Sequence, residues 1–148
     1  MASPRSTLRP QGSQKIVSRA TPADRPSSAR VCVLLVDVDR NLRRSLAIGL
    51  KLLGHRTEEA GDAARALELV HRHHFDLAVI DLLLPDMSGL DLARSLQRIA
   101  PDVRLVLTTA YELPSERPEH AGSDGTVWLR KPLRTEDLLH LFPQPAPR

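Results

Sequence analysis

Polar side chains that could bind a cation and a phosphoryl group stand at the ends of short apolar runs in this 148-residue chain. Three are acids, one carries a hydroxyl and one an amine: Asp37, Asp39, Asp81, Thr109 and Lys131. Clustered carboxylates repel one another and attract a cation, and oxygen ligands of this kind favour Mg²⁺. A lysine and a hydroxyl beside them suit a phosphoryl group, which needs charge neutralisation and hydrogen-bond donors.

Five apolar runs predict the strands that must position these side chains. The run 31–36 is continuous and β-branched, which is typical of a strand buried on both faces of a parallel sheet. The other predicted strands cover 55–60, 76–80, 103–107 and 127–129. Ligands in such sheets bind beyond the carboxyl ends of the strands, where the five polar residues are therefore expected to converge.

Helical patterns separate the strands, as right-handed β-α-β crossovers require. The first helix is predicted from a leucine stripe that consists of Leu42, Leu46, Leu50 and Leu53. Gly54 is predicted to end this helix in the left-handed conformation. Three further helices are predicted to begin at polar caps, which are Asp62, Ser88 and Thr135.

Proline and glycine interrupt the place where the fourth helix of this alternation belongs. The stretch between Thr109 and Val127 contains Pro114, Pro118, Gly122 and Gly125. Proline removes a helical hydrogen bond and clashes with the preceding turn. We therefore predict a three-layer α/β fold with a five-stranded parallel sheet, in which the fourth helix is reduced or lost.

The order and spacing of the polar residues resemble a known family. Asp37 ends the run Leu-Leu-Val-Asp, and Asp81 begins the run Asp-Leu-Leu-Leu-Pro-Asp-Met-Ser-Gly. Thr109 lies 28 residues after Asp81 and is directly followed by alanine, and Lys131 lies 22 residues after Thr109 and is directly followed by proline. With these motifs, residues 31–142 resemble the receiver domain of bacterial two-component response regulators, which are CheY-like. The implied fold is the flavodoxin-like (βα)5 fold.

The resemblance implies a Mg²⁺ site. Mg²⁺ would bridge Asp81, the acidic cluster that begins with Asp37, and the backbone carbonyl of Leu83. The family usually has two adjacent acids after the first strand, and the second is typically the direct metal ligand. Here that second position is Val38, which puts the Mg²⁺ affinity in question. Asp39 is a substitute ligand if the loop shifts by one residue.

The resemblance also implies a role for each remaining site residue. Asp81 would be the phosphoacceptor and would attack a phosphohistidine on a sensor histidine kinase. Lys131 would pair with the phosphoryl oxygens. Thr109 would move to bond the phosphoryl group and draw an aromatic switch residue inward, and Trp128 holds that position.

The expected function is signalling rather than catalysis. The chain is predicted to be a single-domain response regulator, because no output domain follows the receiver domain in this sequence. It would receive phosphate from a sensor kinase or phosphotransfer protein and signal by phosphorylation-dependent contact with a downstream protein, with a homodimer as a possible form. A phosphorelay shuttle is the related role.

The composition of the chain indicates where the protein is located and which partners it is expected to bind. Residues 1–30 contain six basic residues and one acid, whereas 31–148 contain 15 basic and 17 acidic residues. The mildly acidic body argues against nucleic-acid binding by the receiver domain itself. The single cysteine, Cys32, cannot form an internal disulfide, and no apolar run approaches the ~20 residues of a membrane span. A cytoplasmic location is therefore expected.

Two regions of the chain and one histidine cluster are predicted to be solvated. Residues 1–30 have no helical or strand periodicity and are predicted to be a disordered basic tail, and 143–148 a flexible C-terminal tail. His71, His73 and His74 look like a metal cluster. They fall at the end of the second predicted helix, however, where solvated polar residues are normal.

Two alternative functions stay open. With Val38 in the acidic pair, the domain could be a phosphorylation-independent pseudo-receiver that serves as an interaction module. The run that ends in Asp37 and Asp39 also resembles the first motif of haloacid-dehalogenase phosphohydrolases, with Asp37 as nucleophile and Asp39 as acid/base. That resemblance leaves Asp81 and the loop after it unexplained.

Overall fold

The computed structural model describes residues 30–111 and 126–142. Five strands form one parallel sheet in the order β2-β1-β3-β4-β5. Their bounds are Cys32–Val36 for β1, Arg56–Ala60 for β2, Leu77–Asp81 for β3, Arg104–Thr109 for β4 and Val127–Arg130 for β5. This confirms the predicted five-stranded parallel α/β fold.

Four helices connect or follow these strands in the described ranges. They are α1 (Arg40–Leu52), α2 (Ala63–Arg72), α3 (Gly89–Ile99) and α4 (Thr135–Leu139). The predicted loss of the fourth helix concerns 112–125, which lies outside the described residues. The predicted tails also lie outside them, apart from Arg30. None of the helices in the described part of the chain is long and apolar enough to cross a membrane.

The sheet is covered on both faces, which gives three layers. One hydrophobic cluster joins the sheet to α2 and α3, and its fully buried members include Leu34, Ile80 and Leu92. The other joins the sheet to α1 and α4 through Leu50, Leu138 and several other side chains. Because both faces of the central strands are buried, β1 and β3 are apolar nearly throughout, as the sequence predicted.

Three of the four predicted helix boundaries are confirmed. Gly54 has a φ of 92° just after α1, and Asp62 accepts the Arg65 N–H at the start of α2. Ser88 accepts the Asp91 N–H at the start of α3. The predicted cap at Thr135 is wrong by one residue. Arg134 is the N-cap of α4, and its own N–H donates to the Asp137 carboxylate.

Candidate functional site

Two aspartates lie side by side at the carboxyl edge of the sheet. β1 and β3 are parallel neighbours, and Val36 is paired with Ile80, so the residues that follow in each strand, Asp37 and Asp81, are adjacent. Their exposed fractions are only 6% and 7%. Two carboxylates buried so close together need a compensating cation, since burial and mutual repulsion both disfavour their charged forms.

Lys131 supplies that cation from the end of β5. Its Nζ lies 2.7 Å from Asp37 Oδ2 and 3.1 Å from Asp81 Oδ2. The backbone N–H of Lys131 donates to the Thr109 carbonyl at 2.8 Å, which fixes the ends of β4 and β5 together. The Lys131–Pro132 peptide bond is cis. The structure therefore brings together three of the predicted site residues from three strands.

The electrostatics of the site follow from burial and from the shared ammonium group. Burial raises the pKa of Asp37, as does Asp81, and the hydrogen bonds from Lys131 and Asp39 offset this only in part. Burial lowers the pKa of Lys131, but its bonds to Asp37 and Asp81 outweigh burial, so the net shift is upward. The ammonium is therefore held in its charged form between the carboxylates.

The loop between β3 and α3, residues 82–88, wraps closely around Asp81. The Leu83 N–H donates to Asp81 Oδ1 at 3.3 Å, and Leu83 also pairs with Ser88 in an isolated antiparallel bridge. The Gly89 N–H donates to the Leu82 carbonyl at 2.8 Å. A side chain at Gly89 would collide with the Asp81 carbonyl, so only glycine lets α3 begin this close to the strand end.

The predicted switch residues lie on the two neighbouring strands. Thr109 is buried at the end of β4, and its hydroxyl accepts the Tyr111 N–H at 3.1 Å. The hydroxyl of Thr108, the preceding residue, donates to the Ile80 carbonyl at 3.5 Å. Trp128 is buried in the cluster that faces α2 and α3, and its Nε1 has no hydrogen-bond partner among the described residues.

The loop after β1 places Asp39 and Val38 differently from Asp37. The Asp39 carboxylate caps α1 by accepting the N–H groups of Asn41 and Leu42. Its own N–H donates to Asp37 Oδ1 at 2.8 Å. Because this carboxylate is used as a helix cap, the acid/base role of the phosphohydrolase alternative is disfavoured. Val38 is 58% exposed and offers an apolar side chain.

The donor set at this edge fits a hydrated Mg²⁺ ion. Mg²⁺ is usually held by one or two carboxylates and keeps several waters. The carboxylates of Asp37 and Asp81 supply such ligands, and the Leu83 carbonyl belongs to the loop beside them. Within 30–111 and 126–142, no group of three or more His, Cys, Asp and Glu side chains could enclose a metal ion by itself.

The histidines at the end of α2 are solvated, as predicted. His71, His73 and His74 are all exposed at the end of α2 and in the turn that follows. They border an open pocket of about 380 Å³ between the ends of α2 and α3. No metal-binding group involves them in the described part of the chain.

Sequence reasoning missed two residues that support the site. The Arg43 Nη1 donates to the Asp37 carbonyl at 2.5 Å, and Arg43 also pairs with Glu59 at 3.4 Å. The Asp86 carboxylate accepts the N–H groups of Ala63 and Ala64 at the start of α2. Arg43 could have been found from its position one helical turn after Asp39, the cap of α1. For Asp86, the sequence shows only a polar residue in a turn and gives no indication of its contact.

The fold and this cluster of two acids and a lysine define a class of protein. The family model for the response regulator receiver domain matches residues 33–142. The chain therefore belongs to the response regulator receiver domain family. Domains of this family are phosphorylated on an aspartate in two-component systems and bind Mg²⁺ for that reaction.

Curated relatives and solved structures agree with this assignment. The chain is 36% identical over 107 residues to the response regulator MprA of Mycobacterium leprae, which covers 72% of this chain and 47% of that protein. The chain thus spans about half the length of the curated relatives it matches.

Two solved structures share the fold. One is a CheY-like receiver domain protein of Methanospirillum hungatei, with a TM-score of 0.68 and 27% identity over 76% of this chain and 90% of that one. The other is a response regulator protein of Burkholderia pseudomallei with a phosphorylated aspartic acid, calcium ion and citrate. Its TM-score is 0.68 and its identity 29%, over 76% of this chain and 66% of that one.

Proposed function

We propose that Asp81 accepts a phosphoryl group from the phosphohistidine of a sensor histidine kinase or phosphotransfer protein. The observation that carries this proposal is the position of Lys131 Nζ, 3.1 Å from a buried Asp81 carboxylate and 2.7 Å from Asp37. The phosphorylated domain then signals through contact with a downstream protein target. Response regulators interact with histidine kinases and downstream targets, which supports both partners.

The transfer itself needs positioning and charge neutralisation more than covalent chemistry. An Asp81 carboxylate oxygen attacks phosphorus, the bond between phosphorus and the histidine nitrogen breaks, and the leaving imidazole takes up a proton. The phosphoryl oxygens carry the developing charge, and Lys131 is placed to pair with them. The Leu83 N–H holds Asp81 Oδ1 in orientation.

Asp37, Asp81 and the Leu83 carbonyl would hold the Mg²⁺ ion of the family. When bound, Mg²⁺ neutralises charge on the phosphoryl oxygens. The metal role predicted for Asp39 stays a prediction, and its carboxylate has the cap of α1 as its partner.

The switch proposed for this domain involves Thr109 and Trp128. The new phosphoryl dianion would attract the Thr109 hydroxyl, which in the structure accepts a backbone N–H from Tyr111. Trp128, buried beside the sheet, would repack in response and so change the surface that the downstream target meets.

Labelling with a small phosphodonor tests the proposal. Wild-type protein with acetyl phosphate and Mg²⁺ is expected to gain one phosphoryl group that is visible by intact-protein mass, and Asp81→Asn is expected to gain none. Asp91→Asn, an exposed acid on α3, is the matched control and should label like wild type. Unlabelled wild type, or a label that survives Asp81→Asn, would contradict the proposal.

Val38 favours a second candidate function. If the exposed apolar side chain at position 38 leaves the site unable to hold Mg²⁺, the domain would act as a phosphorylation-independent interaction module. Calorimetric titration of the protein with MgCl₂ separates the two functions. Measurable binding supports the phosphoacceptor, and heat no larger than that of Asp81→Asn supports the interaction module.

Three predictions from the sequence concern the whole protein. The single-domain organisation stays a prediction, because the matched segment covers only 47% of the curated relative MprA of Mycobacterium leprae. The homodimer and the cytoplasmic location stay predictions as well. Sedimentation of the phosphorylated and unphosphorylated protein tests the homodimer. Fractionation of the source cells tests the cytoplasmic location.

A further inference from the structure

Asp86 joins the loop beside the phosphoacceptor to the start of a neighbouring helix. It lies in the loop 82–88, and its two carboxylate oxygens accept the N–H groups of Ala63 and Ala64, each at 2.9 Å. These two residues open α2, which runs between β2 and β3. The contact thus crosses from one connection of the fold to another, over 22 to 23 positions of the chain.

The helix start gives this contact its strength. The first N–H groups of a helix have no partner within the helix, and a carboxylate near them also interacts favourably with the helix dipole. The two backbone hydrogen bonds lower the pKa of Asp86, so the carboxylate stays ionised at neutral pH. A charged acceptor with two short bonds is a firm attachment for a loop.

α2 already has a local cap, so the contribution of Asp86 is separable. Asp62 accepts the Arg65 N–H at 2.8 Å within the same turn of chain. The helix therefore begins with two acidic caps, one from its own N-cap residue and one from the loop 82–88. Removal of either leaves N–H groups of the first turn without a partner, but only removal of Asp86 releases the loop.

The same loop touches Asp81 at its other side. The Leu83 N–H donates to Asp81 Oδ1, and Leu83 pairs with Ser88 across the loop. Gly89 seats the far end of the loop against the Asp81 carbonyl. Only Asp86 ties the part between Leu83 and Ser88 to another element through hydrogen bonds that the structure describes there.

We propose that Asp86 is a positioning residue for Asp81. By holding the loop 82–88 on the start of α2, Asp86 fixes the Leu83 amide and carbonyl beside the acceptor carboxylate. It touches neither the phosphoryl group nor the acceptor. This inference rests on the proposed function for the rate of phosphorylation, but the position of the Leu83 amide is independent of it.

The experiment compares two cap variants of the same helix, of which the Asp62 variant removes one backbone hydrogen bond and the Asp86 variant removes two. Asp62→Ala removes the local cap, Asp86→Ala removes the cap from the loop, and Asp86→Asn keeps one acceptor oxygen. Each variant is measured for its melting temperature, for its labelling rate with acetyl phosphate at saturating Mg²⁺, and for the amide ¹H–¹⁵N chemical shift of Leu83.

The expected result separates helix stability from loop position. Asp62→Ala and Asp86→Ala should both melt below wild type. Asp86→Ala should label about tenfold more slowly than wild type, because a small displacement of the reacting groups lowers the reaction rate strongly. Asp62→Ala should stay within about twofold of the wild-type rate, since the loop keeps its attachment. Asp86→Asn should recover part of the rate and of the Leu83 shift.

Two outcomes would overturn the inference. One is equal labelling rates in Asp62→Ala and Asp86→Ala at temperatures where both are folded. The other is a Leu83 amide signal in Asp86→Ala that coincides with that of wild type. If wild type does not label at all, the proposed function fails, and the Leu83 signal still decides whether Asp86 positions the loop.

Discussion

The two ends of the sheet use the same side-chain type in opposite ways. At the carboxyl end, Asp37 and Asp81 face each other and share the ammonium group of Lys131. At the amino end, Asp76 stands before β3, and its Oδ2 accepts the Cys32 N–H at 2.9 Å. All three carboxylates accept a backbone N–H, but only those of Asp37 and Asp81 also share a buried ammonium group.

Backbone bonds surround Asp76. Its N–H donates to the Cys32 carbonyl at 2.8 Å, and its carbonyl accepts the Arg104 N–H at 3.1 Å. Nearby, the Val31 N–H donates to His55 Nδ1 at 3.1 Å. These bonds link β1, β2, β3 and β4 at their starts, so the polar groups there hold the strands together.

This difference supports the proposal that phosphorylation takes place at the carboxyl end. Because carboxylates at both ends have a backbone donor, the difference lies in the side-by-side burial of two acids at the carboxyl end. The two buried carboxylates at the carboxyl end share one ammonium group, so the cluster keeps a negative charge that can attract Mg²⁺. Together, the ammonium group and the metal could neutralise the charge of a phosphoryl group. Stability and reactivity are thus divided between the ends of one sheet.

Loss of the shared ammonium should have the largest effect. Lys131→Met keeps the apolar stem but removes the charge, and we expect the labelling rate of Asp81 by acetyl phosphate to fall about a hundredfold. Lys51→Met, an exposed lysine of α1, is the matched control and should label at the wild-type rate. A Lys131→Met protein that labels normally would remove the distinction between the two ends.

Asp76→Ala tests the amino end and should affect stability alone. It leaves the partly buried Cys32 N–H without its acceptor, which we expect to cost about 2 kcal/mol in the free energy of unfolding. Denaturant unfolding measures this loss. The labelling rate of Asp81 in the folded variant should be unchanged, and a parallel loss of labelling would show that the two ends are coupled.

Val38→Asp should make the carboxyl end more acidic still. A third carboxylate beside Asp37 is expected to tighten Mg²⁺ binding about tenfold, because ligand charge sets the affinity of oxygen sites. Calorimetric titration compares it with Ile48→Asp, which adds the same charge at an exposed apolar position on α1. Equal affinities in the two variants would mean that position 38 does not face the ion.

His55 should give the smallest effect, and its sign follows from burial. Burial lowers the pKa of His55 from its ordinary value of 6.5, so the fold favours the neutral ring. The stabilisation is complete above pH 6.5 and is lost as the pH falls through the lowered pKa. In thermal melts, the difference in melting temperature between wild type and His55→Asn should therefore shrink as the pH falls below 6.5. A constant difference between pH 5 and pH 8 would contradict this.

The sequence predicted those contacts of the site that depend only on where the strands end. Lys131 and Asp81 are 50 positions apart, yet their meeting follows from apolar runs, parallel pairing and a shared edge. The pairing of Asp37 with Asp81 follows in the same way. These contacts could be predicted because each residue directly follows or ends a buried strand.

Contacts made by loops could not be predicted in this way. Nothing in the spacing of Asp86 shows that its carboxylate reaches Ala63 and Ala64, because that contact depends on how a loop lies over a helix. For Asp39, the sequence suggested a substitute metal ligand and did not show that the carboxylate caps α1, as it does in the structure. The cap of α4 was placed at Thr135 because hydroxyls favour such positions, but Arg134 and Asp137 supply it.

Gly89 restricts what substitutions this site can accept over evolutionary time. Its φ is not in the left-handed region, so the requirement at this position is for space rather than for an unusual backbone conformation. The atoms that a methyl group would meet belong to the backbone of Asp81 and Leu82, which cannot move without displacing the acceptor. Even alanine would therefore displace Asp81, the proposed phosphoacceptor, and a library of variants selected for signalling should retain glycine at residue 89 while its exposed neighbours vary.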